Sequence, residues 1–140
     1  MNTMPNLEGK VSWQKIVSVY AKPDLHKSLW QIVNTLIPYF ALFYFTMYSV
    51  DISFWLTLPL SILTAGFMVR AFIIFHDCGH GSFFKSQRAN DVVGIFTGLL
   101  AFTPYYRWKH EHAIHHATSG DLDRRGVGDV KTLTTHEYLE

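Results

Sequence analysis

The chain has 140 residues, of which 49% are hydrophobic, 16% aromatic and 16% charged, with a formal net charge of +1. So large an apolar share beside so little charge points away from an ordinary soluble domain. A near-neutral chain without a basic stripe interleaved with aromatics excludes a nucleic-acid partner, and a single cysteine, Cys78, excludes a disulfide within these residues.

Residues 1–10 are polar, contain Pro5 and Gly9, and read as a loose tail. In residues 12–21, Trp13, Ile16, Val17 and Tyr20 recur at helical spacing opposite Gln14, Lys15 and Ser18, which predicts a short helix lying on a membrane surface. Residues 1–28 hold no apolar core of a secretory signal, so insertion rests on the first span itself. Pro23-Asp24 opens the next helix, and no charge occurs from Ser28 through Val50. At about 1.5 Å per residue that stretch crosses a hydrocarbon core of about 30 Å. Pro38 is expected to bend the span, Trp30 and Tyr48 suit its two interfaces, and the aromatic run 39–48 suits lipid contact and helix packing.

A second span follows Asp51 almost at once, so residues 50–53 form a tight turn and the two helices are antiparallel neighbours. Arg70 is the one charge between Asp51 and Asp77. It is expected to snorkel to phosphate level, with pairing to Asp77 as the alternative. Counting about 20 residues from Ile52 brings the helix out of hydrocarbon near Phe72, which sets His76 and His80 just beyond the bilayer on the continuing helix. Lys10, Lys15, Lys22 and Lys27 precede the first span and Lys85 and Arg88 follow the second, while the turn has no basic residue, so both ends are expected in the cytoplasm.

Asn90-Asp91 is expected to cap another helix, and the apolar stretch 92–101, too short to cross, to be re-entrant or to lie in the interface. Thr103-Pro104 then starts a helix, with proline in its first turn, that carries Tyr105, Tyr106 and Trp108 and ends at Gly120. Thr134-Thr135-His136-Glu137 reads as the capping box of a further helix.

The chemistry lies in two histidine clusters, His76-x3-His80 and His112-x2-His115-His116. Positions i, i+3 and i+4 share a helix face, so each cluster can aim its imidazoles at one point, which is metal-ligand spacing. Because 92–101 does not cross, both clusters stay on one side. Imidazole suits iron, copper, zinc and nickel alike, so residue type alone does not choose the metal. Asp77, Asp121 and Asp123 are candidates to accept the second ring N–H of a ligand histidine, with solvated loop acids as the plainer role for the latter two. His26 and His136 are expected at the surface. His110, two residues from His112, faces away from the set and is expected not to ligate. Cys78 is expected to be a small buried residue between ligands. His110-Glu111 is not a zincin motif, since Ile114 stands where its second histidine belongs. A bis-histidine haem electron carrier and a metal transporter are the alternatives from other classes. The spans, however, carry neither histidines nor carboxylates at hydrocarbon depth.

Residues 76–84 (HDCGHGSFF), 108–116 (WKHEHAIHH) and 118–125 (TSGDLDRR) resemble the membrane-bound fatty acid desaturase family, in particular acyl-lipid desaturases of the Δ12/ω-6 type. The resemblance covers roughly residues 30–140. It implies two non-haem irons held by His76, His80, His112, His115 and His116 and no other catalytic residue. It also implies an O2-dependent enzyme that introduces a cis double bond into an acyl chain of a lipid or acyl carrier, with electrons from a separate donor of ferredoxin or cytochrome b5 type. Related membrane hydroxylases and ketolases carry the same kind of boxes and stand as the alternative. The family's third histidine box has no counterpart in these residues, so the expectation is an N-terminal portion, inactive alone. The expected fold class is all-α: an integral membrane helical hairpin, a re-entrant or interfacial helix, then cytosolic histidine-box helices. Residues 1–28 form the tail and interfacial helix, and 29–140 the N-terminal part of the desaturase-like membrane domain.

Overall fold

The structure, a computed structural model, describes residues 22–121 and 133–139. The amphipathic segment 12–21 and Asp123 lie outside the described residues. Those described are helical with no strand: α1 (Leu25–Ser49), α2 (Phe54–Gly79), α3 (Gln87–Leu100), α4 (Tyr105–Thr118) and the short α5 (Thr135–Leu139). Helices α1 and α2 are long and apolar enough to cross a membrane.

The Asp24 side chain caps α1, accepting from the backbone N–H of His26 and Lys27 at 3.0 and 3.2 Å. Residues 50–53 form the expected tight turn, and α1 and α2 pack along their length. Hydroxyls knit the pair where apolar side chains offer no hydrogen bonds. Thr46 Oγ1 meets Thr64 Oγ1 at 2.9 Å, and Ser49 donates to Thr57 Oγ1 at 2.9 Å. Arg70 bonds to α1 rather than to Asp77. Its Nη2 donates to Asn34 Oδ1 at 2.7 Å on α1, since an extended guanidinium reaches the neighbouring helix more readily than a carboxylate seven positions along its own.

Helix α2 ends with Gly81 at φ +69°, whose N–H donates to the Cys78 carbonyl while that of Ser82 donates to the Asp77 carbonyl. This pair of bonds is the Schellman arrangement that a left-handed glycine permits. It makes His80 the C-cap of α2 and turns the chain inward, burying Phe83 and Phe84. Ser28 Oγ holds the Phe83 carbonyl at 2.6 Å.

The expected cap at Asn90-Asp91 is corrected by the structure: α3 begins at Gln87 with Ser86 as its N-cap. Asn90 sits within the helix, 1% exposed, and its side-chain amide clamps the backbone of Phe84, accepting from its N–H at 2.8 Å and donating to its carbonyl at 2.9 Å. An amide offers donor and acceptor at once, which a buried loop backbone needs more than a helix end does. Pro104 likewise sits at the N-cap of α4, one position before the first turn. The capping box before α5 forms as expected, with Thr134 N–H donating to Glu137 Oε2 at 2.8 Å and Glu137 N–H to Thr134 Oγ1 at 3.3 Å.

The core gathers Ile74, Phe75, Cys78, Phe83, Phe84 and Tyr105 where α2, α3 and α4 meet. Glycine sets how closely they meet, because a Cβ on Gly94 would clash with Cε2 of the Tyr105 ring. Gly94→Ala is therefore expected to cost about 1–3 kcal/mol of stability, as overpacking a filled core does. Gly66→Ala, with nothing within 4 Å of its Cβ, is expected to cost nothing. Thermal unfolding of both variants in the same detergent checks the pair, and equal melting temperatures would contradict it.

Candidate metal centre

His76 lies in the last turn of α2 with His80 as its C-cap, and His112 and His116 lie one turn apart on α4. Their Nε2 atoms converge. His112 Nε2 stands 3.1 Å from that of His76, 3.2 Å from that of His80 and 3.0 Å from that of His116, and His76 and His80 are 3.3 Å apart. All four nitrogens fall within 4.8 Å of one another. Four nitrogens around one ion at a metal–nitrogen distance of about 2.0–2.1 Å are about 3.3–3.4 Å apart in tetrahedral geometry. The cluster is thus a volume one metal ion wide, bounded by imidazole lone pairs.

Their protonation suits that role. His76 Nδ1 lies 3.2 Å from Asp77 Oδ1, and since a carboxylate only accepts, the proton sits on Nδ1 and the lone pair on Nε2. Burial and the neighbouring imidazoles lower His80, and the same causes lower His112 to about 4. At these two positions the neutral imidazole, the form that binds metal, is therefore favoured.

Of the five histidines predicted as ligands, the structure brings these four together. His115 lies beside them, its ring 5.9 Å from that of His112 and 5.7 Å from that of His116, outside the four-nitrogen group. Asp77 is where a supporting carboxylate is needed. Asp121 is exposed just past Gly120 (φ +85°), and α4 ends at Thr118 with Ser119 as its C-cap, two residues earlier than expected. His26, His110 and His136 are exposed and outside the group, and Cys78 is fully buried behind it.

A supporting layer escaped the reading of the sequence. Trp108 stacks on His112 at 4.2 Å with an 18° tilt and packs edge-on against His76 at 5.6 Å. It fits because Gly79 has no side chain, as a Cβ there would come within 2.7 Å of Trp108 Cζ3. The Tyr105 hydroxyl reaches the Cys78 carbonyl at 2.9 Å and Asp91 Oδ1 at 3.1 Å, and the same carboxylate oxygen accepts from Lys109 at 3.2 Å and Gln87 at 2.8 Å. Burial and the Asp91 carboxylate push the Tyr105 phenol upward, so it stays a donor. Burial pushes the Asp91 carboxyl upward too, but hydrogen bonds from Gln87, Lys109 and Tyr105 outweigh it and hold it below its ordinary value. The available signal was the helical spacing 105, 108, 112, 116, which puts tyrosine and tryptophan on the histidine face.

The fatty acid desaturase family model matches residues 53–136. The chain is 51% identical over 124 residues to a fatty acid desaturase of Bacillus subtilis (strain 168), covering 89% of this chain and 35% of that protein. It is 32% identical over 103 residues to an sn-1 acyl-lipid omega-3 desaturase (ferredoxin) of Nostoc sp. (strain 36), covering 73% and 28%. To an endoplasmic reticulum omega-6 fatty acid desaturase, isozyme 1, of Glycine max it is 38% identical over 66 residues, covering 47% and 17%. The chain spans about a third or less of the length of these relatives. No solved structure matches it.

Proposed function

The chain belongs to the fatty acid desaturase family, and from that premise we propose that its residues 29–140 are the N-terminal part of the membrane domain of an O2-dependent acyl-lipid desaturase. The observation that supports this most is the convergence of His76, His80, His112 and His116 on one point at the end of two membrane-length helices. An acyl methylene offers no acidic proton, so non-haem iron, once loaded, would supply the oxidising power that side chains lack. The two hydrogens of the acyl chain, with two electrons from a separate donor of ferredoxin or cytochrome b5 type and two protons from solvent, would reduce O2 to two waters.

The chain's own residues place and ready that chemistry. His76, His80, His112 and His116 would hold one iron, and His115 would serve the second, together with ligands from the part of the relatives' length that this chain does not span. Asp77 fixes the His76 tautomer, and Trp108 holds the His112 ring in plane. A bis-histidine haem needs its imidazoles on opposite faces of a flat macrocycle, whereas these four crowd toward one centre.

The hairpin is proposed to span the bilayer with its 50–53 turn outside and the histidines on the cytoplasmic side. The outer face of α3, with Val92 67% and Leu99 71% exposed, would then lie in the interface. Expression of the full-length protein in a host lacking such an enzyme, followed by fatty acid profiling, tests the activity. New cis-unsaturated chains are expected, absent with His112→Ala. Hydroxylated chains instead would reassign it to the hydroxylases, and an unchanged profile with iron bound would overturn the desaturase assignment.

A further inference from the structure

Each histidine pair is held by its own helix, and a metal ion can be shared between the pairs only if α2 and α4 keep a fixed rotation and offset. Sites of this kind tolerate displacements of about 0.5 Å. Among the described residues, and apart from the imidazole contacts of His112 themselves, α4 is tied to the turn that carries His76 and His80 by the hydrogen bond of Tyr105 to the Cys78 carbonyl. The same carbonyl accepts the Gly81 N–H that closes the end of α2. The single Tyr105 O–H is shared between two acceptors, the Cys78 carbonyl lying between the two ligands at 2.9 Å and Asp91 Oδ1 at 3.1 Å. Its ring is held by Phe75 on one side and by the missing side chain of Gly94 on another. Asp91 on α3 faces the hydroxyl and is itself held by Gln87 and Lys109, so three helices meet at one phenol oxygen. Seven residues, or about 10 Å of helix, separate Tyr105 from His112 on the same face.

We infer that Tyr105 is a positioning residue for the metal centre: its hydroxyl, latched on the Cys78 carbonyl and backed by Asp91, sets the register of α4 against α2 so that the two histidine pairs close on one ion. The inference rests on the four-histidine metal site, and its test separates the two. The probe is Co2+, whose visible absorption reports coordination geometry and whose affinity is read by competition with a chelator, with no turnover required. The full chain in detergent is compared as wild type, Tyr105→Phe, Asp91→Ala, the double variant and His112→Ala, with circular dichroism to verify the helices.

Removing one oxygen in Tyr105→Phe leaves the buried ring in place. It is expected to weaken Co2+ binding about 10-fold, within the range seen when a group supporting a ligand is lost, and to dim and broaden the visible bands. Asp91→Ala is expected to shift both readouts in the same direction, which keeps the test open if Tyr105→Phe does not fold. The double variant should fall no further than Tyr105→Phe alone, because both remove one latch. A purely structural tyrosine would instead lower the melting temperature and leave affinity and spectrum unchanged, and that result with His112→Ala still abolishing binding would overturn the latch alone. Unchanged binding in His112→Ala would overturn the metal site and the latch together.

Discussion

Alanine at His112 is expected to empty the proposed metal centre. Among the four converging imidazoles His112 has the most close neighbours, its Nε2 within 3.2 Å of those of His76, His80 and His116. Removing it leaves three nitrogens with a gap on the side of α4. The expected loss of metal affinity exceeds the about 10–100-fold that follows loss of a group merely supporting a ligand. Product formation in the full-length enzyme should fall to background with it. The side chain is only part-buried, so the helices should persist and the loss should read as a site defect. His115→Ala is expected to separate the two irons: product is lost while one Co2+ per chain still binds, since His115 stands outside the four-nitrogen group. Alanine at His26, His110 or His136, all exposed, should leave metal and product unchanged. Metal content by mass spectrometry with product analysis on the same preparations decides it. Full metal content in His112→Ala would remove that residue from the ligand set.

Metal binding is expected to survive mild acid and then collapse. Protons and metal compete for the same nitrogens, so affinity falls once ligand imidazoles protonate. Burial, with the neighbouring imidazoles, holds His112 at about 4 and lowers His80 as well. The sign follows from the linkage relation. Between about pH 4 and the ordinary histidine value of about 6.5 the unfolded chain binds more protons at His112 than the folded one, so stability rises with pH across that window. The contribution of His112 is fully present above about 6.5 and is lost as pH falls toward about 4. Co2+ titrations at stepwise lower pH should therefore show affinity nearly level through neutrality, with the steep loss below about pH 6. A steep loss already in place above pH 7 would show imidazoles that are not lowered and would contradict the packed cluster.

The sequence by itself determined the helical hairpin, because an uncharged run from Ser28 to Val50 and another after Asp51 can satisfy their backbone in hydrocarbon only as helices. It also determined that each histidine pair shares a helix face, since spacing of four residues brings side chains one turn apart. Asn90 and Asp91 depart from the cap expected of them for a physical reason. Their side chains favour helix caps when judged locally, but in the fold one clamps the Phe84 backbone and the other anchors Tyr105. Only the tertiary structure decided which members of the second cluster meet the first. Periodicity allows His112 to act with His115 or with His116 and says nothing of how a helix is turned toward its neighbour. That rotation comes from packing. Trp108 seats on Gly79, Tyr105 seats on Gly94 and bonds the Cys78 carbonyl, and α4 is thereby turned so that His112 and His116 face His76 and His80 while His115 is carried to the side.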